Sequence, residues 1–206
     1  MSYNLMKTIT KTAGTNNDQF LKVYDNVMTA EECAITIDLA DQFRIANRNS
    51  NYHTTSNQKG RIDDQMFLLN HRHNEPFKDK FQGWMHSSWD KYAREFKLKY
   101  DISDVLCPHY KIQKTETGGG FTAQHYEQSE GKGMSQRFAV WMIYLNDDFE
   151  GGETFFPYQD VTITPKTGSL VIWPANYTYP HYAIDNLKGT KWIATGWFRF
   201  RTQQIL

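Results

Sequence analysis

The chain has 206 residues, enough for one large domain whose core needs no disulfide or metal to hold it together. Its 23 basic and 23 acidic side chains cancel, which argues against nucleic acid or an anionic membrane surface as a general partner. No apolar run is long enough to span a membrane, and the N-terminus lacks a signal-peptide core. We therefore expect a cytoplasmic protein in which Cys33 and Cys107 are buried thiols.

The N-terminal part of the chain is predicted to be mainly helical. Residues 1–19 are polar and aperiodic, as in a flexible arm, and a short strand follows at residues 20–24. Thr29 and Glu32 have the spacing of a capping box, so a helix should begin there and run to about Arg44. Its apolar residues recur every three positions and should face the core, and they are Ala34, Ile37, Ala40 and Phe43. A second helix is predicted from about Asn74 to Lys97. Its apolar stripe should pack against a sheet and consists of Phe77, Phe81, Trp84, Met85, Trp89, Tyr92 and Phe96.

Residues 46–65 are rich in Asn, Ser, Thr, Gln and Lys and show no periodicity. This composition predicts a long loop. Loops of such length inside a compact domain are either functional lids or disordered segments, and the sequence does not decide between the two.

From residue 104 onward the chain is predicted to form short strands separated by turns. We place them at residues 108–114, 121–127, 137–145, 151–156, 161–164, 168–173, 181–184 and 192–199. The expected fold class is mainly β with N-terminal helices (α+β), built as a double-sheet barrel. We expect one domain over residues 1–206, with a helical support region at 20–103 and a β core at 104–200.

A metal site is the strongest chemical signal in the sequence. His125 and Glu127 are two residues apart in a predicted strand, so their side chains should point to the same side. His181 follows 54 residues after Glu127, far enough for the chain to leave and return. Two histidines and one carboxylate on one face suit non-haem Fe(II) that activates O2. Lys191, ten residues further on, is a candidate cation for an acidic co-substrate.

Several motifs occur in the order found in a known enzyme family. Residues from about 20 to 200 resemble the prolyl 4-hydroxylase-like branch of the Fe(II)/2-oxoglutarate dioxygenases, in a small phage or marine-microbial form. The motifs are Glu31-Glu32-Cys33, Gly118-Gly119-Gly120-Phe121, His125-x-Glu127, Tyr144-Leu145-Asn146-Asp147, Gly151-Gly152-Glu153-Thr154-x-Phe156, Pro165-x-x-Gly168, His181 and Gly189-x-Lys191-Trp192.

The resemblance implies a double-stranded β-helix, the cupin-like jelly roll. It assigns iron binding and catalysis to His125, Glu127 and His181. Most prolyl hydroxylases have Asp where this chain has Glu127, and other members of the superfamily use Glu.

For the co-substrate 2-oxoglutarate, the resemblance assigns the far carboxylate to Lys191, with hydroxyl groups of Tyr144 and Thr154 near the same carboxylate. A tyrosine that the family often places about ten residues before the first histidine is Thr115 here. That contact is therefore either lost or made by Tyr110.

The activity implied by the resemblance is hydroxylation of a C–H bond with O2, releasing succinate and CO2, with ascorbate as an accessory reductant. Peptidyl proline in a peptide or protein is the first substrate expectation. The alternatives are a free amino acid or another small molecule, and a non-catalytic jelly-roll binding module. The sequence predicts no membrane partner and does not determine the oligomeric state.

Two further sets of residues keep two interpretations each. Arg137 either reaches a substrate carboxylate or caps the rim of its strand. The aromatic residues around His181 either pack in the core or line a substrate groove, and they are Trp173, Tyr177, Tyr179 and Tyr182.

Overall fold

The computed structural model of the chain describes residues 20–46, 53–67, 75–99, 105–107, 110–131 and 133–200. The predicted arm at residues 1–19 lies outside these ranges. No helix within them is long and apolar enough to cross a membrane. Both cysteines are free, and Cys33 is buried as expected while Cys107 is half-buried.

Two helices and eleven strands form the described part of the chain. The helices are α1 (Ala30–Ala46) and α2 (Glu75–Glu95). The strands are β1 (Lys22–Tyr24), β2 (His53–Gln58), β3 (Arg61–Phe67), β4 (Val105–Leu106), β5 (Tyr110–Thr115), β6 (Arg137–Tyr144), β7 (Thr154–Phe156), β8 (Val161–Ile163), β9 (Leu170–Pro174), β10 (Tyr182–Ala183) and β11 (Lys191–Phe200).

The strands form two antiparallel sheets that pack face to face. The large sheet has the order β1-β9-β6-β11-β5-β3-β2, with β4 paired to the far end of β11, and the small sheet has the order β10-β7-β8. The non-sequential neighbours are those of a jelly roll, in which the chain crosses between the sheets. The predicted fold class, a mainly β jelly roll with N-terminal helices, is confirmed.

Strand β6 is apolar after its first residue, Arg137, and both of its faces are buried. Val140 and Met142 point toward the small sheet and join a core with Phe156. Trp141 and Ile143 alternate with them and point toward the helices. The central strand therefore separates two cores, one between the sheets and one beneath the helices.

The helices cover the outer face of the large sheet. The capping box at α1 is present, since Thr29 Oγ1 accepts from the amide of Glu32 at 3.1 Å and the Glu32 carboxylate accepts from the amide of Thr29 at 2.9 Å. The predicted three-residue repeat of α1 is only partly right, because Ala34 is exposed. The fully buried residues of α1 are Cys33, Thr36 and Ala40. On α2 the predicted stripe packs as expected from Phe81 onward, while the side chain of Phe77 lies outside the described part of the chain. The buried members of the stripe are Phe81, Met85, Trp89 and Tyr92.

The predicted loop at residues 46–65 is wrong where the structure describes it. Strands β2 and β3 form a hairpin whose second strand pairs with β5, so the region called a helical support adds strands to the large sheet. Gly60 turns this hairpin with a φ of +84°, and a Cβ there would lie 2.7 Å from the Cβ of Ala123. The residues are polar because β2 is an exposed edge and one face of β3 lines a polar cavity, so no apolar alternation marks the strands.

Candidate metal centre and co-substrate cavity

A cavity opens between the two sheets and encloses about 700 Å³, its mouth included. Its floor is the inner face of β5 and β11, where side chains of every second residue point inward. One wall of the cavity is formed by the segment of residues 118–127 and by β10. Polar residues on the floor and wall are Asp63, Lys111, Gln113, Thr115, His125, Glu127, Thr154, His181, Lys191 and Thr195.

Three potential metal ligands converge in this cavity. The ligand atoms of His125, Glu127 and His181 all lie within 4.8 Å of one another. Glu127 Oε1 is 3.5 Å from Nε2 of His125 and 3.9 Å from Nε2 of His181. No other group of three or more potential His, Cys, Asp or Glu ligands was found among the residues that the structure describes.

The backbone that carries the triad is extended but is not the strand predicted at residues 121–127. His125 and His181 form an isolated bridge, in which each amide donates to the carbonyl of the other at 3.0 and 2.9 Å. The amide of Glu127 donates to the carbonyl of Ala175, just after β9. The expectation that His125 and Glu127 share a side still holds, because an extended backbone alternates its side chains whether or not it is fully paired.

Both histidines are held in the tautomer that a metal needs. Nδ1 of His125 is 2.9 Å from the carbonyl oxygen of Ala123, and Nδ1 of His181 is 3.1 Å from that of Tyr179. A carbonyl oxygen only accepts, so Nδ1 carries the proton in each ring. The lone pair of Nε2 is therefore directed into the cavity on both histidines.

Glu127 presents one oxygen to the histidines while the other is held from behind. Oε2 accepts from the Trp197 indole at 2.9 Å and from Arg137 Nη1 at 3.3 Å. Arg137 also donates to the Glu127 carbonyl at 3.1 Å, and its guanidinium lies 3.6 Å from the centre of the Trp197 ring. Arg137 therefore orients the carboxylate, a role that was not considered from the sequence.

The protonation states suit metal binding. Burial would raise the pKa of the Glu127 carboxyl, but the neighbouring His125 and the charge of Lys111 outweigh it and hold that pKa well below its usual range. Burial and the proximity of His125 lower the pKa of His181 to about 4. At neutral pH the site therefore offers an ionised carboxylate beside a neutral imidazole, which is the donor set of a facial triad.

Lys191 begins β11 and points into the cavity, where its side chain is buried. Its Nζ donates to the carbonyl of Gly152 and lies 5.5 Å from the centre of the Tyr144 ring. Burial lowers the pKa of Lys191 to about 8, and the charge of Glu153 opposes this only partly. At neutral pH a buried ammonium group is thus available to an anion.

The predicted hydroxyl groups lie beside this lysine. Thr154 lines the cavity, and its Oγ1 is 3.0 Å from the hydroxyl of Tyr144. Tyr144 is fully buried and does not line the cavity. Tyr144 is therefore placed to orient Thr154 and to stack beside Lys191.

The prediction for Tyr110 is wrong. Tyr110 is five residues from Thr115 on β5, so the two side chains lie on opposite faces of the sheet. Its ring stacks on Phe81 of α2 at a centroid distance of 4.7 Å, in the core beneath the helices. Thr115 lines the cavity and is directly opposite Lys191 in the strand pairing, so a smaller hydroxyl side chain stands where the family often has the tyrosine.

Sequence reasoning missed a polar network at the cavity floor, in which Asp63, Lys111 and Gln113 line the cavity. Gln65 lies behind them and is hydrogen-bonded to both Asp63 and Lys111. The signal was present as a two-residue alternation in β5, where 111, 113 and 115 are polar or charged and 110 and 112 are not. The same alternation of polar residues runs through 61, 63 and 65 in β3. Both were obscured because the intervening residues are also polar in part.

The aromatic residues around His181 divide between the two interpretations. Trp173 and Tyr179 are buried in the core between the sheets, although Trp173 also lines the cavity. Tyr182 lines the cavity near its mouth, and Tyr177 is 70% exposed. Packing therefore accounts for Tyr179, and Tyr182 is left as a groove residue.

The part of the chain that forms most of the cavity is similar in sequence to a known family. Residues 110–199 match the sequence model of the 2OG-Fe(II) oxygenase superfamily, and this range contains the triad and Lys191. Prolyl 4-hydroxylase subunit alpha-1 of Homo sapiens is 33% identical over 121 residues, which cover 55% of this chain and 21% of that subunit. The chain thus spans about a fifth of the length of the curated relatives that it matches first.

Structural comparison gives the same fold. A viral collagen prolyl hydroxylase from Paramecium bursaria Chlorella virus-1, solved with 2-oxoglutarate, aligns with a TM-score of 0.67 at 21% identity, over 91% of this chain and 100% of that one. A prolyl hydroxylase from Trichoplax adhaerens, solved with a peptide fragment of hypoxia inducible factor, aligns with a TM-score of 0.65 at 16% identity, over 89% and 84%. At sequence identities this low, the structural similarity shows a shared fold alone.

Proposed function

We propose, from the match of residues 110–199 to the sequence model of the 2OG-Fe(II) oxygenase superfamily, that the chain is an Fe(II)- and 2-oxoglutarate-dependent dioxygenase that hydroxylates a C–H bond, with peptidyl proline as its first candidate substrate. The observation that carries the proposal is the joint geometry of the triad and Lys191 in one cavity. When bound, iron and 2-oxoglutarate supply the oxidising chemistry, in which one oxygen atom of O2 enters the substrate and the other enters succinate as CO2 leaves.

The chain's own residues hold and orient the reactants. His125, Glu127 and His181 would hold Fe(II) on one face and leave its other positions open. The hydrogen bonds from Trp197 and Arg137 keep the free oxygen of Glu127 aimed at the histidines. Such supporting contacts to metal ligands commonly change metal affinity by about 10- to 100-fold.

Lys191 would bind the far carboxylate of 2-oxoglutarate, because it is a buried cation whose protein contact is a neutral carbonyl. A charge-assisted hydrogen bond in such a dry site is strong and also fixes the orientation of the ligand. Thr154 adds a hydroxyl donor at the same end of the cavity.

Peptidyl proline is proposed because relatives named prolyl hydroxylase match this chain in sequence and fold, and one of them was solved with a peptide. Ascorbate as an accessory reductant and a cytoplasmic location are proposed with it. A free amino acid remains the second candidate, favoured by the closed, charged floor of the cavity.

The test is turnover of purified protein with Fe(II), 2-oxoglutarate and ascorbate in air, with and without proline-containing peptides. We expect succinate formation that depends on the peptide, and a product that has gained one oxygen atom. His181→Ala should abolish both. If the wild type binds a ligand equally well without metal and forms no succinate with any candidate, it is a non-catalytic binding module instead.

A further inference from the structure

A second buried lysine, Lys111, lies on the cavity floor, and the function proposed above assigns no ligand to it. It is on β5, opposite Thr195 of β11, whereas Lys191 is opposite Thr115. Four residues of a paired strand separate these two positions, which is roughly 13 Å along the floor. The cavity therefore has one buried cation toward each end of its floor.

Lys111 has few partners for a buried charge. Its Nζ donates to Gln65 Oε1 at 3.0 Å and lies 5.5 Å from the centre of the Trp197 ring. Among the residues that the structure describes, no carboxylate lies within 4.0 Å of this ammonium group, and Gln65 is its one hydrogen-bond acceptor. Two of its three N–H donors are thus left without a protein acceptor in that part of the chain.

Asp63, an acidic side chain on the same floor, is occupied by other donors. Asp63 accepts from Arg61 at 3.1 and 3.2 Å, from Gln65 at 3.2 Å and from Gln113. Its charge is therefore balanced by the Arg61 guanidinium. This network also holds Gln65 in place, with a further hydrogen bond to Ser56 of the edge strand.

The other carboxylate whose charge acts on Lys111 is Glu127. One oxygen of Glu127 is held by Trp197 and Arg137, and the other faces the two histidines, where a metal ion would use it. A bound metal ion would neutralise the charge of Glu127. Lys111 then faces the cavity with no anion to balance it.

A buried charge without a partner is costly, and such groups cluster at binding sites. Burial lowers the pKa of Lys111 to about 8, so that most of it remains charged at neutral pH. A neutral side chain would fill the same space at lower cost, which suggests that a ligand completes the site.

We propose that Lys111 binds a carboxylate of the primary substrate, so that the substrate is a carboxylic acid, either a free amino acid or a peptide with an acidic group near the target residue. This inference rests on the proposed function, because it assumes that Lys191 takes 2-oxoglutarate. Gln65 accepts from the ammonium group and fixes its position, while Gln113, on the same face, lines the cavity beside it.

A direct binding test uses propionate as the smallest probe and propionamide as its neutral match. The protein is labelled with 13C-lysine and loaded with Zn(II) and 2-oxoglutarate, so that no turnover occurs and the Lys191 end is filled. The Lys111 Cε resonance, assigned from its absence in Lys111→Arg and Lys111→Met, should shift saturably with propionate and not with propionamide. Affinity for propionate should fall about tenfold or more in Lys111→Met, as expected for loss of a charge-assisted hydrogen bond.

Lys114→Met is the matched control. Lys114 is on the same strand but faces the outer side, where it pairs with Glu116 at 2.6 Å. Its removal should leave propionate binding unchanged. The proposal is overturned if Lys111 does not respond to propionate, if it responds equally to propionamide, or if 2-oxoglutarate alone produces the Lys111 shift. These outcomes are read from the wild-type titration once Lys111→Arg has given the assignment, even if Lys111→Met fails to fold.

Turnover then distinguishes the two sources of the carboxylate. Free L-proline is compared with L-prolinamide, and acetyl-Gly-Pro-Glu-amide with acetyl-Gly-Pro-Gln-amide, by succinate formation. Faster turnover of L-proline than of L-prolinamide identifies a free amino acid as the substrate. Faster turnover of the Glu peptide than of the Gln peptide identifies an acidic peptide as the substrate. Either preference should disappear in Lys111→Met. Equal turnover of acid and amide in both pairs, or a preference that survives in the variant, overturns the proposal. If no compound yields succinate, the proposed function fails, while the propionate titration still decides the role of Lys111.

Discussion

Replacing Lys191 with methionine tests the co-substrate site most directly. Methionine keeps much of the length and the apolar stem of lysine but removes the ammonium group. The surrounding side chains Tyr144 and Thr154 keep their mutual hydrogen bond, so the change is confined to one charge.

The magnitude follows from the burial of the ammonium group. Burial lowers the pKa of Lys191 from 10.5 to about 8, which corresponds to about 3 kcal/mol of cost for the charged form in the ligand-free protein. A charge-assisted hydrogen bond to a ligand carboxylate contributes roughly 1.5–3 kcal/mol. Lys191→Met should therefore weaken 2-oxoglutarate binding by about 10- to 150-fold, without lowering the free energy of unfolding of the ligand-free protein.

The assay is anaerobic titration of Fe(II)-loaded protein with 2-oxoglutarate, followed by the weak visible charge-transfer band of a keto acid on iron. Urea unfolding of the metal-free proteins gives the stability in parallel. Lys188→Met is the control, because Lys188 is exposed and its ion pair with Glu150 is exposed as well. Exposed pairs contribute little, so this variant should match the wild type in both measurements.

The reasoning is refuted if Lys191→Met binds 2-oxoglutarate within about twofold of the wild type, since a buried charged contact is worth more than that. It is also refuted if the affinity falls together with an equal loss of stability in the ligand-free protein. Loss of affinity with retained stability is the pattern that only a ligand-binding cation produces.

Three further results are expected. Trp197→Phe removes the indole N–H that donates to Glu127. The affinity for Fe(II), measured by competition titration, should fall about tenfold, while the free energy of unfolding changes little. An affinity equal to that of the wild type would contradict the orienting role of Trp197. The Lys191 side chain is a charged ammonium group below its pKa of about 8 and a neutral amine above it. The affinity of the metal-loaded protein for 2-oxoglutarate should therefore fall about tenfold per pH unit above that pKa. An affinity that stays constant up to about pH 9.5 would exclude Lys191 as the ligand cation. Thr29→Ala removes the capping hydrogen bond from the amide of Glu32, so the free energy of unfolding in urea should fall by about 1 kcal/mol. The affinity for 2-oxoglutarate should not change. An unchanged midpoint of urea unfolding would mean that the cap adds no stability.

The sequence by itself predicted the three candidate metal ligands that the structure brings together, because the chemistry restricts such ligands to a few residue types at restricted spacing. In any extended backbone the side chains of His125 and Glu127 lie on the same side. The chain between Glu127 and His181 is long enough to bring His181 back beside them. The helices were also predictable, since α2 repeats its apolar residues at helical spacing and α1 begins with a capping box.

The tertiary structure decided which polar residues face the cavity. Tyr110 was expected there and lies in the opposite core, whereas Lys111, its neighbour on β5, lies in the cavity. A two-residue period says that neighbours point to opposite sides, but it does not say which side is the inside. That choice depends on which face of the sheet the helices cover.

The hairpin of β2 and β3 and the clamp on Glu127 also required the folded chain. The hairpin residues are polar, and their place in the sheet comes from pairing with β5 and from the docking of Gly60 against Ala123. Trp197 and Glu127 are 70 residues apart, and their hydrogen bond exists because β11 runs beneath the bridge between the two histidines. Local patterns specify elements and residue chemistry, while contacts between distant strands arise only when burial of both sheet faces selects one packing.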